Sequence, residues 1–168
     1  MTTLRRLSVD DLSTARYIHT ASFTGSAPGH YSPDDIEAFN AFVRSPRYAD
    51  LLLGNNAVAA WIDTEMVGTA AWSPGEGRSP TARVVMVAVR PLFTSGGIGR
   101  LLVDHIEAEA REAGFQALEV SATLNSVGFF EELGFRIVRG GEWALPLGHE
   151  IAVVFMRKAD FVGLQAAT

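Results

Sequence analysis

The sequence predicts a single domain of the α/β class, in its mixed α+β form, built around one central sheet. Apolar β-type runs alternate with segments of helical period along the whole chain. The unbroken apolar run Val84 to Val89 is followed by a glycine-rich turn and then an amphipathic segment. A chain of 168 residues, 48% hydrophobic and 20% charged, suits one domain with one core.

Leu4 to Leu7 reads as a short opening strand. Asp10-Asp11 then precedes a helical stripe of Leu12, Ala15, Ile18, His19 and Ser22, with acids where a helix start favours them. Ser32-Pro33-Asp34-Asp35 marks a second helix start, with Ser32 as cap and Pro33 in the first turn; Pro46 is expected to end that helix. Ala57 to Ile62 and Met66 to Trp72 are strands joined in a hairpin at Asp63-Thr64-Glu65. Val84 to Val89 fits a central strand, stopped by Pro91. From Ile98 the period becomes helical through Leu101, Leu102, His105, Ile106 and Ala110, with Gly114 as the stop. Ala117 to Ser121 is a strand and Asn125 to Leu133 a short helix ended by Gly134. Phe135 to Val138 and Ile151 to Met156 are late strands, expected to be separated by Gly140-Gly141 and Pro146 to Gly148. Residues 1–158 are expected to form the single domain, and 159–168 a tail.

The net charge of −5 shows no basic stripe for a nucleic acid. The absence of cysteine excludes disulfides, thiolate–zinc sites and a cysteine nucleophile, and suits a cytoplasmic location. No run is apolar and long enough to suggest a membrane span. No His and carboxylate spacing suggests a metal site.

Strand, glycine turn and helix together form an anion site, because helix-start N–H groups are unpaired and glycines let backbone approach phosphate. Three phosphate motifs compete for Ser95-Gly96-Gly97-Ile98-Gly99-Arg100. A P-loop needs Gly-Lys-Ser/Thr, whereas Gly99 is followed by Arg100-Leu101. A dinucleotide fingerprint has its third glycine replaced by Leu102, and Arg90 to Gly96 intervene between strand and glycines. The third option is a coenzyme A motif.

The stretch Val87 to Leu102 resembles the coenzyme A motif of the GNAT N-acetyltransferases: strand, proline, then Arg/Gln-x-x-Gly-x-Gly/Ala. Ser121 to Phe135, with its Phe129-Phe130-Glu131-Glu132-Leu133-Gly134-Phe135, resembles the family's second motif, which usually ends Phe-Tyr-x-x-x-Gly-Phe. His30-Tyr31-Ser32-Pro33 and the ending Leu147 to Lys158 resemble a bacterial subgroup, so the likeness spans nearly the whole chain. There are two departures: Thr94 stands where Arg or Gln is usual, and Phe130 where Tyr is usual.

The resemblance implies the GNAT acyl-CoA N-acyltransferase fold, with a mixed, mostly antiparallel sheet of six or seven strands flanked by about four helices. It implies acetyl-CoA as cosubstrate and direct attack by a primary amine, with no acyl-enzyme. The acceptor, a small-molecule or peptide amine, stays unnamed. The acidic balance suits a cationic one, and a homodimer is open because dimers are common in the family. Val87 and Val89 are implied to pair with the pantetheine amides, and N–H groups around Val87 and Ala88 to hold the oxyanion. Thr94, Ser95, Gly96, Gly97, Ile98, Gly99 and Arg100 are implied to hold the pyrophosphate. Asn125, Phe129 and Phe130 are implied along the pantetheine arm. The tyrosine usual at position 130 is often the acid for the departing thiolate, and Phe130 lacks that proton.

Candidates for the acceptor side are His149, of the residue type most used for proton transfer, its neighbour Glu150, and Tyr31. Trp72 and Trp143 could wall the site or pack in the core. His19 and His105 edge apolar helical stripes and read as packing residues; Glu119 reads as an ordinary strand residue. The alternative to an enzyme is a non-catalytic acyl-CoA binding module, suggested by Thr94 and Phe130.

Overall fold

The computed structural model describes residues 1–159. Its strands are β1 (Thr2–Arg6), β2 (Asn56–Ile62), β3 (Glu65–Pro74), β4 (Thr81–Val89), β5 (Ala117–Thr123), β6 (Arg136–Ala144) and β7 (Glu150–Ala159). Its α-helices are α1 (Leu12–Ser26), α2 (Pro33–Val43), α3 (Pro46–Leu53), α4 (Ile98–Glu112) and α5 (Val127–Glu132). The strands form one sheet in the order β1-β2-β3-β4-β5-β7-β6. β4 and β5 pair in parallel and the other neighbours antiparallel. The expected mixed, mostly antiparallel sheet is present, with five helices instead of about four.

The sheet separates two apolar layers. α4 and α5 cover one face, where Ile98, Leu102, Ile106 and Phe130 meet Val67, Val84 and Leu118. α1, α2 and α3 cover the other, where Ile18, Phe39, Phe42 and Tyr48 meet Ala59, Ala71 and Ile151. β4 is central and contributes to both layers, as its continuous apolar run requires.

Several boundaries differ from the sequence reading, two of them in a residue's role. Pro46 does not merely end a helix: α2 stops at Val43, and Pro46 opens α3 behind Ser45. Proline has no N–H to lose at a first helical position, so one residue serves both roles. Gly140-Gly141 is not a separator but part of β6, where Gly141 pairs with Val153. A Cβ on Gly141 would run into the Phe155 ring, so glycine is needed there for close packing inside a strand. Of the tail expected over 159–168, Ala159 closes β7 and the rest lies outside the described residues.

β4 and β5 stay together only from Thr81↔Ala117 to Val84↔Val120. Beyond that, Val85 to Val89 and Ser121 to Thr123 part. The cause lies on the β3 side of β4. Thr69 pairs with Ala88 and Ala71 with Val85, so Met86 and Val87 together oppose Ala70 in a bulge. Met86 takes φ 52°, a left-handed conformation costly for a side chain with a Cβ. A bulge bends its strand, and here it turns β4 away from β5.

Candidate active site

A cavity of about 700 Å³ occupies this gap. Its wall includes Val87, Ala88, Val89, Thr94, Gly99, Asn125, Phe129 and Phe130 toward α4 and α5. His19, Phe39, Arg47, Leu51 and Trp143 come from the opposite layer. One cavity therefore reaches through the sheet from face to face.

The backbone of β4 offers hydrogen bonds to it. Arg90 N–H donates to Val67 O at 2.8 Å, so Arg90 faces β3. Peptide directions alternate along a strand, so Ala88 also faces β3, opposite Thr69, while Val87 and Val89 face the gap. The expected edge at Val87 and Val89 is thus free of β5, and Ala88 is turned from it.

The glycine turn caps the same end. Gly97 is the N-cap of α4 with φ 77°, which glycine adopts without a Cβ clash. The first helical bond runs from Leu101 N–H to Gly97 O, so the amides of Ile98, Gly99 and Arg100 precede any helical acceptor. The Ile98 side chain is buried in the core, leaving only its backbone for an anion. The Gly96 amide donates to Phe93 O, and Thr94 Oγ1 donates to Pro91 O at 3.1 Å. Arg100 reaches the Glu132 carbonyl at the end of α5, at 3.4 Å. Ser95 is exposed in the turn. A Cβ on Gly99 would stand 2.8 Å from Phe129 Cε1, so Gly99 seats that ring. Phe129 in turn meets Phe130 edge-on, with centroids 5.0 Å apart, and Phe130 meets Phe135 in the same way.

Asn125 carries an unused acceptor. Its Nδ2 donates to Ser26 Oγ at 2.8 Å, while its Oδ1 is buried without a partner. A buried carbonyl oxygen left unpaired is destabilising, and an amide N–H in the cavity would satisfy it. This donor set suits a pantetheine arm: a free strand edge, an orphaned amide oxygen and aromatic walls, with unpaired helix-start amides for phosphate.

The three acceptor-side candidates lie elsewhere. Tyr31 is buried; its hydroxyl donates to Ala152 O at 2.5 Å and accepts from Leu124 N–H at 2.9 Å, which uses it as a tie. His149 Nε2 bonds Asp35 Oδ1 at 2.8 Å and fastens the loop before β7 to the start of α2. That bond is the main cause holding the Asp35 carboxyl below its usual range. Glu150 lies on the exposed β6–β7 edge, where its carboxyl raises the pKa of Glu142 by a shared hydrogen bond and by charge repulsion. None of the three lines the cavity.

His19, which sequence periodicity reads as packing, is packed edge-on against Tyr48 and also lines the cavity. It is 4% exposed, with Nδ1 2.5 Å from Tyr48 Oη and 3.3 Å from Ala15 O. Its Nε2 has no hydrogen-bond partner. Burial pushes its pKa down to about 4, while the Ala15 and Met86 backbones pull the other way. The ring is therefore neutral at pH 7, with one N–H. Tyr48 is fully buried, and its phenol is pushed well above the usual range by burial, so it keeps its proton. That hydroxyl has His19 Nδ1 as its recorded partner. A buried O–H must donate, so Tyr48 donates to Nδ1 and the ring proton sits on Nε2. His19 thus lines the cavity with a ring whose Nε2–H is itself buried, beside the backbone of Met86.

The remaining singled-out residues are structural or peripheral. Trp72 packs on Phe115 and donates to Glu109, whereas Trp143 lines the cavity. Glu119 pairs with Arg83 across the parallel strands, and His105 lies 3.5 Å from Glu109 on α4.

The family model of the acetyltransferase (GNAT) family matches residues 16–135. The protein belongs to this family of acetyltransferases. Among solved structures, the chain is similar to a GCN5-related N-acetyltransferase from Rhodopseudomonas palustris, at TM-score 0.85 and 24% identity, over 95% of this chain and 96% of that one. It is also similar to the PaiA N-acetyltransferase from Thermoplasma acidophilum in complex with coenzyme A, at TM-score 0.69 and 20% identity, over 95% and 99%. A third is the ribosomal-protein-S18-alanine N-acetyltransferase from Escherichia coli, at TM-score 0.63 and 19% identity, over 95% and 94%. At these identities the likeness shows the fold. No curated protein matches the sequence. No helix among the described residues is long and apolar enough to cross a membrane.

Proposed function

We propose that this protein transfers the acetyl group of acetyl-CoA directly to a primary amine, in a ternary complex and without an acyl-enzyme. The observation that carries the reading is the cavity through the sheet: it opens a donor side, with the glycine turn and Asn125, onto a separate acceptor side. Acetyl-CoA supplies a thioester carbonyl that a neutral amine can attack, giving an amide and a thiol.

Val87 and Val89 hold the pantetheine amides along the free edge of β4, and Asn125 Oδ1 accepts a further amide N–H. The amides of Ile98, Gly99 and Arg100 hold the pyrophosphate, with the Arg100 guanidinium beside them and Thr94 at the cavity wall. His19 Nε2–H, next to the Met86 bulge, donates to the carbonyl oxygen as negative charge grows on it. No Asp or Glu lines the cavity among the described residues, so the amine's proton passes to solvent. Phe130 has no proton to give the thiolate. A thiol of pKa about 8.5 is a tolerable leaving group near neutrality, and water completes its protonation.

Titration calorimetry with acetyl-CoA tests donor binding; no heat of binding defeats the proposal. Thiol release across an amine library tests transfer. The rival reading, a non-catalytic acyl-CoA binding module favoured by Phe130, predicts binding without turnover, and robust turnover with any amine removes it.

A further inference from the structure

The acceptor side of the cavity contradicts the net charge of the chain. The whole sequence is acidic, at −5, which suggests a cationic acceptor. The cavity wall carries two arginines, Arg47 and Arg83, and no carboxylate among the described residues. Local charge governs binding over a few ångströms, because distant surface charge is screened by salt.

Both arginines face the α1–α3 layer. Arg47 lies in the first turn of α3, beside Leu51 in the wall. Arg83 is two residues before Val85, which packs against that layer, so strand alternation puts both on one face. Arg83 is committed, since its Nε and Nη2 both donate to Glu119 Oε1 at 3.1 and 3.0 Å. Arg47 is not. Its Nη1 donates to the Ala144 carbonyl at 3.2 Å and its guanidinium lies 5.6 Å from the Phe42 ring centre. No ion pair to it is recorded among the described residues. A carbonyl and a ring face hold the guanidinium in place without neutralising it, which leaves donors for an anion. Phe39 and Trp143 add aromatic surface to the same wall.

We infer that the acceptor is an amine that also carries an anionic oxygen group, a carboxylate or a phosphate, and that Arg47 binds this group. The inference rests on the acetyltransfer reading above. It gives the acceptor the charge pattern of an amino acid or a phosphorylated amine rather than that of a polyamine. An aromatic or apolar body suits the wall better than a short polar one.

The test compares matched amines with acetyl-CoA by thiol release. L-Phenylalanine carries a carboxylate that phenethylamine lacks and that L-phenylalaninamide replaces with a neutral carboxamide; O-phosphoethanolamine carries a phosphate that ethanolamine lacks. The expected result is that one acid-bearing member exceeds its neutral partner in kcat/KM by about tenfold or more, the worth of a charge-assisted hydrogen bond. The arm that responds identifies carboxylate or phosphate. Arg47→Gln is expected to erase the preference through KM while leaving the Kd for coenzyme A unchanged. Arg47→Lys, which keeps the charge and loses the planar fork, is expected to retain part of it, and serves as the variant should Arg47→Gln fold poorly. Neutral amines turning over as well as acidic ones would overturn the inference and leave acetyltransfer standing. So would an Arg47→Gln variant that loses coenzyme A affinity instead, since Arg47 would then hold a donor phosphate. Should no amine turn over, acetyltransfer fails by itself, and binding of 3-phenylpropanoate to the coenzyme A complex decides the anion site. Saturable binding weakened about tenfold by Arg47→Gln supports the site; no binding overturns it.

Discussion

Tyr48 Oη lies 2.5 Å from His19 Nδ1, and with the buried phenol as donor the ring hydrogen sits on Nε2. Neither residue is near the other in sequence; α1 and α3 bring them together on one sheet face. In ¹⁵N-edited spectra, His19 should show a protonated Nε2 and a bare Nδ1 across pH 5 to 8. Tyr48→Phe removes the donor and lets Nδ1–H turn to Ala15 O, which bares Nε2. Loss of an aimed donor to a developing oxyanion costs about 10²-fold in kcat. We expect that order of loss in both Tyr48→Phe and His19→Leu, with little change in KM for acetyl-CoA. Unchanged kcat in His19→Leu would reduce this pair to a packing contact.

The same ring makes stability depend on pH. Its folded pKa is near 4 against 6.5 in the unfolded chain. The folded state therefore binds fewer protons between these values, and stability must fall as pH drops through that window. The full effect is about 3 kcal/mol, present above pH 6.5 and lost by pH 4. Denaturant titrations at pH 7, 5.5 and 4 should show this slope. His19→Leu should flatten it, leaving the Asp35 contribution, which has the same sign because its carboxyl is held low by His149. A wild-type slope retained in His19→Leu would mean that the ring is solvated in solution.

Gly99 bears on coenzyme A through an aromatic ring as well as through its amide. An added Cβ would sit 2.8 and 2.9 Å from the Phe129 edge, so Gly99→Ala displaces that ring from the cavity wall. Overpacking of this kind costs about 1–3 kcal/mol. We expect about a tenfold weaker Kd for acetyl-CoA in Gly99→Ala, and no measurable binding in Gly99→Asp, whose carboxylate adds repulsion of the phosphates. Wild-type affinity in Gly99→Asp would remove the phosphate assignment from this turn.

Sequence alone carried the elements whose signals are local. Ser32-Pro33 with Asp35 announces α2, and the structure has Ser32 Oγ accepting from the Asp35 amide. The glycine turn and Phe129 to Phe135 announce the donor side because each is a contiguous run. The acceptor side is assembled from α1, α2, α3, β4 and β6, so no run records it. His19 sits on the buried stripe of α1, where a packing histidine and a cavity histidine have the same spacing. His149 is a candidate by residue type and place before the last strand, yet Asp35 of α2 holds it. The splay of β4 depends on the left-handed Met86, a residue with no local preference for that conformation. Gly140-Gly141 mimics a turn because the reason for Gly141, the ring of Phe155, comes from the neighbouring strand.

Tyr31 ties β7 to the segment that carries Asn125. Tyr31→Phe leaves the Leu124 amide without its acceptor and the Ala152 carbonyl without its donor. Both bonds are only part-buried, so the cost is the net worth of an ordinary hydrogen bond, about 0.5–1.5 kcal/mol each. We expect a lower melting temperature and a several-fold higher KM for acetyl-CoA, with kcat nearly unchanged, because Asn125 loses its support and no reacting group is removed. A collapse of kcat at unchanged KM and stability would instead place the Tyr31 hydroxyl in the chemistry.

Phe130→Tyr restores the hydroxyl that the family usually has at this position. Phe130 is 4% exposed and edge-on to Phe129 and Phe135, yet it also lines the cavity, which gives a para hydroxyl open space to enter. A positioned acid contributes about 10²–10⁴-fold where proton transfer limits the rate. A thiolate near neutrality needs less help, so the expected gain is smaller. We predict kcat equal to or above wild type, with the rise confined to the chemical step in single-turnover traces. Thermal stability should change little, because the ring keeps its place between its two aromatic neighbours. A severe loss of activity together with a lower melting temperature would mean that the hydroxyl is forced into the Phe135 side of the core. In that case the thiolate must leave by way of water alone.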